Sequence, residues 1–126
     1  MEHVTVKKNF VVQATQIVEK KVFLENYNLE MFASDLFMSK SNLNRKIKVS
    51  TGLTPVEFIR KVRFDYAFRL LKETDLSIKE VAYSSGFNDP KYFTRCFKKT
   101  YGISPKDYKN NLSKSVGYLW NNFNLN

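Results

Sequence analysis

The chain has 126 residues, with 21 Lys and Arg against 12 Asp and Glu for a formal net charge of +9, and 43% of it is hydrophobic. That is one domain of ordinary size with enough apolar material for a core, which excludes intrinsic disorder and a second full domain. A single cysteine, Cys96, and a single histidine, His3, exclude an internal disulfide, a zinc cluster and a Ser–His or Cys–His nucleophile, so neither an enzyme nor a metal or other cofactor is expected.

No run of about 18 apolar residues exists, so no membrane span or membrane contact is expected. Lys7, Lys8, Gln13 and Gln16 interrupt what would be a signal-peptide core, and a cytoplasmic location is the expectation. The positive charge points to a polyanion, nucleic acid foremost, although ribosomal and membrane-surface modules share it.

In chain order, residues 1–9 read as an N-terminal extension. A first helix from about Phe10 to Glu25 carries Ala14, Ile17, Val18 and Val22 at helical spacing. Asn28 caps a second, through Met31, Phe32 and Leu36. A third spans about Met38–Val49 and stops at Gly52. Thr54-Pro55-Val56-Glu57 then opens a long helix to about residue 72, with a hydroxyl cap, Pro at the first helical position and an acid three past the cap. Along it Ile59, Val62, Tyr66 and Leu70 form one stripe, and Phe64, Phe68 and Leu71 lie opposite. Two opposed apolar stripes describe a helix buried from both sides, a strut between subdomains. Ser77-Ile78-Lys79-Glu80 is a second capping box, a helix over about Pro90–Tyr101 follows, and Ser104-Pro105 starts the last. The fold class is all-α with seven helices.

The chain repeats itself. Leu43, Arg45, Ile47, Lys48, Gly52 and Pro55 recur 50 residues later as Phe93, Arg95, Phe97, Lys98, Gly102 and Pro105. Upstream the offset is 49, with Ala33 matching Ala82 and Phe37 matching Gly86, so the second copy holds one extra residue near Asn88-Asp89. Two copies of short helix, turn and second helix make a paired motif rather than a solenoid.

In each second helix one side supplies core anchors: Leu43 and Ile47, with Lys46 and Ser50 beside them, then Phe93, Cys96, Phe97 and Thr100. The opposite side of the first carries Ser41, Arg45 and Lys48, flanked by Asn44. That of the second carries Lys91, Arg95 and Lys98, flanked by Thr94, with Tyr92 and Lys99 on the other shoulder. Met38–Val49 and Pro90–Tyr101 each hold four cations and no acid. A solvated face is the ordinary explanation of one such cluster; two matched faces in a repeat favour DNA. Arg can present a bidentate fork to guanine and Asn to adenine, while Lys, Ser and Thr suit phosphates or base edges. A short helix, a tight turn and a basic second helix is the helix-turn-helix plan. Cys96, between Phe93 and Phe97, reads as a buried structural thiol rather than an alkyl acceptor. Arg60, Lys61 and Arg63 on the strut are candidates to steer or grip phosphates.

The stretches Ser77–Ala82, Gly86–Lys99 and Gly102–Pro105, with Tyr108, resemble the DNA-binding domain of the AraC/XylS family of bacterial transcription regulators. The first copy is similar more loosely, in Phe32-Ala33, Met38–Leu43, Arg45-Lys46 and Gly52–Pro55. The resemblance covers about residues 10–112 and implies two helix-turn-helix subdomains, over about 28–52 and 77–102, joined by a linker helix over 55–72. It places base contacts on Ser41, Asn44 and Arg45 and on Lys91, Tyr92, Thr94 and Arg95. Phosphate contacts are expected at Ser39, Lys40, Lys48, Asn88, Lys98 and Lys99. Many relatives carry Gly where this chain has Phe37, so the turn there is expected to use another geometry or to hold Phe37 packed. Pro90 offers no amide to a phosphate.

The implied function is sequence-specific binding of double-stranded DNA for transcription control, by activation, with recognition helices in successive major grooves and one monomer able to occupy the site. RNA polymerase is a candidate partner. The alternative is a protein-interaction module that contacts RNA polymerase or another partner without reading bases. RNA binding is disfavoured by the absence of an RNP-like strand or a Gly-x-x-Gly loop. The wording of both units is closest to hybrid two-component regulators, so the chain is expected to be a C-terminal piece of a longer protein. Residues 113–126 form a tail whose Tyr118, Leu119, Trp120 and Phe123 could dock on the body or pair with another chain.

Overall fold

Local capping chemistry decides most helix ends. Asn28 Oδ1 accepts the Met31 amide at 2.9 Å, and Ser39 Oγ that of Asn42 at 3.2 Å. Thr54 and Glu57 close a reciprocal box at 3.2 and 3.0 Å, and Ser77 and Glu80 another at 3.1 and 3.5 Å. These caps open α2 (Leu29–Asp35), α3 (Lys40–Thr51), α4 (Pro55–Glu73) and α5 (Ile78–Ser84); α1 (Glu2–Lys21) precedes them and α6 (Pro90–Tyr101) follows. A seventh helix, α7, covers residues 105–112, its start capped by Ser104 Oγ accepting from the Asp107 amide at 3.1 Å. The structure, a computed structural model, describes the backbone of residues 2–112 and side chains from Asn9 onward. The expected all-α architecture of seven helices is borne out. The aromatic residues expected to matter in the tail lie outside the described residues, as does the side chain of His3.

α3 and α6 stop at Gly52 and Gly102, whose φ values of 78° and 75° are left-handed and whose amides each return to a carbonyl, Lys48 O and Lys98 O, at 2.8 Å. α1 differs from expectation at both ends. Its backbone is helical from Glu2, where no Gly or Pro interrupts propagation away from the anchored turns. It ends at Lys21 rather than near Glu25, because the Leu24 amide turns back to Lys21 O at 3.0 Å.

Two separate cores flank α4. Phe10, Ala14, Val18 and Val22, four residues apart on α1 and just past it, close over Phe32, Leu43, Ile47, Phe58, Ile59 and Val62. Within this core Phe32 stacks on Phe58 at 5.8 Å between ring centroids. The second core joins Phe64, Ala67 and Leu71 of α4 to Val81, Ala82, Phe87, Phe93 and Phe97. Here the positions that hold Leu43 and Ile47 in the first copy hold rings, and Phe64 lies 5.1 Å from Phe87, 6.0 Å from Phe93 and 6.2 Å from Phe97. The strut therefore serves both sides as its stripes predicted, with one exchange: Leu70 packs with the second core instead of the first. Tyr101 packs against the second core, and burial, with Asp65 adding to it, pushes its hydroxyl up to about 12.

Candidate nucleic-acid interface

The helix-turn-helix geometry is set by the turn between its two helices. In the first copy the Leu36 amide reaches Phe32 O and Ala33 O, the Phe37 amide Ser34 O at 3.0 Å, and the Met38 amide Ala33 O at 2.9 Å. In the second, Ser85, Gly86 and Phe87 repeat these bonds to Val81, Ala82 and Tyr83, with Gly86 N to Tyr83 O at 3.1 Å and Phe87 N to Ala82 O at 2.9 Å. Both are Schellman motifs with the left-handed residue just past the cap. Ser39 then caps α3 directly after Met38, whereas Asn88 intervenes between Phe87 and the cap Asp89, which is the extra residue that shifts the repeat from 49 to 50.

Phe37 corrects the expectation. Its φ is 56°, so the turn keeps the geometry a glycine would adopt, and its ring is 97% exposed rather than packed. The hydrogen-bond pattern and the burial of Met38 against the first core hold the backbone there despite the Cβ penalty.

α3 presents Leu43 and Ile47, both fully buried, to its core and leaves Ser41, Asn44, Arg45 and Lys48 exposed. Arg45 Nη2 donates to Asn42 Oδ1 at 2.9 Å, which holds the guanidinium along the outward face. Lys48 Nζ donates to Gly52 O at 2.9 Å and so covers the end of its own helix. Lys40 is ion-paired with Glu30 of α2 at 3.2 Å, a partner that the acid-free run Met38–Val49 did not reveal. Lys46 stays exposed beside the core, its ammonium 4.5 Å from the centre of the Phe10 ring.

On α6, Phe93 and Phe97 are fully buried; Lys91, Tyr92, Arg95, Lys98 and Lys99 are exposed and Thr94 half-buried. Two inward assignments need correction: Cys96 is only half-buried, packed at the edge of the second core that Phe93 and Phe97 fill from α6, and Thr100 is exposed. The Asp89 carboxylate accepts the Lys91 amide at 3.0 Å, so an acid occupies the helix start that Pro90 already deprives of one donor. Asn88 is exposed on the turn.

Tyr92 links α6 to the strut. Arg60 Nη2 lies 3.4 Å from Tyr92 Oη, and the Arg95 guanidinium lies 5.6 Å from the centre of the same ring. Tyr92, Arg60 and Asn88 line a cleft of about 310 Å³ between the two units. Of the three strut cations expected to meet phosphates, Arg60 and Lys61 stay exposed and Arg63 is half-buried. Lys61 is paired with Asp65 at 2.9 Å, and Arg63 is drawn into backbone contacts. A residue-type reading cannot see the Arg60–Tyr92 pair, which spans 32 positions of chain. Among the described residues no cluster of His, Cys, Asp and Glu could hold a metal, and no helix is long and apolar enough to cross a membrane.

Comparison with known proteins gives the same picture. Residues 32–111 match the family model described as a helix-turn-helix domain. The chain is 34% identical over 110 residues to histidine kinase P4 of Formosa agariphila, covering 87% of this chain and 8% of that one. It is 37% identical over 87 residues to the HTH-type transcriptional activator RhaS of Mannheimia succiniciproducens, covering 69% of this chain and 32% of that protein. The chain thus spans under a third of either relative. Among solved structures, the DNA-binding domain of AdpA, a global transcriptional factor crystallised with a target DNA, superposes with a TM-score of 0.72 at 26% identity, over 80% of this chain and 90% of that one.

Proposed function

The chain belongs to the AraC/XylS family as a DNA-binding domain of transcription regulators, and from that premise we propose that it reads one asymmetric duplex site with α3 and α6 together. The observation that carries this reading is the pair of matched helices. Each is anchored inward by two fully buried side chains at equivalent positions, and each turns an Arg at the same register outward. Helices so placed suit adjacent major grooves about 34 Å apart, which a single chain can span without dimerising.

Within that site Ser41, Asn44 and Arg45 read bases from α3, and Lys91, Tyr92, Thr94 and Arg95 from α6. Ser39, Lys48, Asn88, Lys98 and Lys99 take phosphates, and Lys40 joins them by exchanging Glu30 for the backbone. The domain described as residues 10–112 does this as the output module of a longer regulator. A histidine kinase among the relatives favours a two-component setting, and an activator among them favours activation, with RNA polymerase as the downstream partner.

Selection from a random duplex library tests the reading. The expected result is enrichment of two distinct half-sites about one helical turn apart. Arg45→Ala and Arg95→Ala are each expected to weaken the selected site by about 1–3 kcal/mol, roughly five- to 150-fold, and each to relax one half only. Equal losses on selected and unrelated duplexes would remove base reading by these arginines. Binding to RNA or protein with no duplex preference would remove the reading as a whole.

A further inference from the structure

Arg63 sits on α4, yet its hydrogen bonds go to neither of that helix's own turns. Nη2 donates to Leu24 O at 2.7 Å and reaches Glu25 O at 3.4 Å, both in the turn after α1, and Nη1 donates to Gly86 O at 3.2 Å in the turn of the second unit. One guanidinium therefore ties the strut, the first unit and the second unit at a single point. The approach it spans is backbone on backbone: a Cβ on Gly86 would run into Val22 O and come within 3.0 Å of Arg63 Nε. Nε itself is buried with no hydrogen-bond partner, and Nη1 and Nη2 are both directed at these carbonyls.

Apart from this point the described cores are separate, each packed on its own stripe of α4. Apolar stripes are tolerant of small rolls and slides, because dispersion and burial are not directional. A planar fork with three carbonyl contacts is directional. We infer that Arg63 is a positioning residue that sets the orientation of α6 relative to α3, and through it the spacing between half-sites that the protein accepts. The spacing part of this rests on the two-helix reading above; the orientation part does not.

Two measurements separate them. Spin labels at Val49→Cys and Thr100→Cys, in the full chain with Cys96→Ala, report the separation of the two units without DNA. A narrow distance distribution is expected with Arg63, at least twice as broad with Arg63→Met, and intermediate with Arg63→Lys, which keeps charge and stem but not the fork. Selection on random duplexes is expected to return one half-site spacing with Arg63. Arg63→Met is expected to return the same half-site sequences at several spacings, with about tenfold weaker binding to the original one. A distribution unchanged by Arg63→Met, or a single spacing that survives it, overturns the inference. If Arg63→Met does not fold, Arg63→Lys makes the same comparison, and a width equal to that of the parent overturns it. Broadening in a protein whose parent enriches no paired half-sites supports the orientation role and overturns the two-helix reading instead.

Discussion

The two helix-turn-helix turns share their backbone hydrogen bonds and differ in the residue that stands at the left-handed position. Phe37 stands at φ 56° with its ring in solvent; Gly86 stands at φ 88° pressed against Val22 O and Arg63. In the first unit the left-handed residue has no neighbour to exclude, so a side chain costs only conformational strain, about 1–2 kcal/mol. In the second the same backbone is also a contact surface between units, and sterics leave no room for a Cβ. Equivalent positions in a repeat therefore tolerate different residues for reasons that lie outside the repeat.

The comparison is broken most forcefully at Gly86. Gly86→Ala adds left-handed strain to overpacking of about 1–3 kcal/mol, and is expected to cost about 3 kcal/mol or more and lower the melting temperature by about 10 °C or more. A melting temperature within a few degrees of the parent would show that the turn can leave Val22 cheaply. Phe93→Ala and Leu43→Ala, at matched positions of α6 and α3, are expected to lose about 3–5 and 2–5 kcal/mol in denaturant titrations. The former should be larger because Phe93 meets Phe64, Phe87 and Phe97 together.

A gain is expected at the other turn. Phe37→Gly relieves the strain while adding freedom to the unfolded chain, for a net stabilisation of about 0.5–1 kcal/mol. Destabilisation there would mean the exposed ring makes contacts in solution that the turn geometry does not account for. The smallest effect concerns the paired lysines. Lys48→Ala is expected to leave stability nearly unchanged and to lower the salt dependence of DNA binding by about one unit of slope. Lys98→Ala should do the same, although Lys48 alone covers a helix end.

Much of this was legible in the chain itself. The caps Asn28, Thr54 and Ser77, the prolines that follow Thr54 and Ser104, and the glycines at 52 and 102 mark helix ends through bonds that span four residues or fewer, so they need no tertiary context. The outward registers of Arg45 and Arg95 followed from the apolar anchors two residues to either side. The side-chain partners did not follow. Glu30 on Lys40 and Tyr92 on Arg60 join residues 10 and 32 apart, and only the folded chain brings them within reach. The half-burial of Cys96 was equally hidden, because periodicity assigns a side and not a depth.

The caps, the apolar periodicity and the repeat in the sequence sufficed for the fold class, and the net charge of +9 with its concentration on two matched helices pointed to the kind of partner. Whether Arg63 remains available was decided by tertiary structure alone. Arg63 looked like one more positive charge on the strut and is instead held by carbonyls from both units. Local rules place a side chain on a helix face, but only the packing of distant turns determines whether that face meets solvent or backbone.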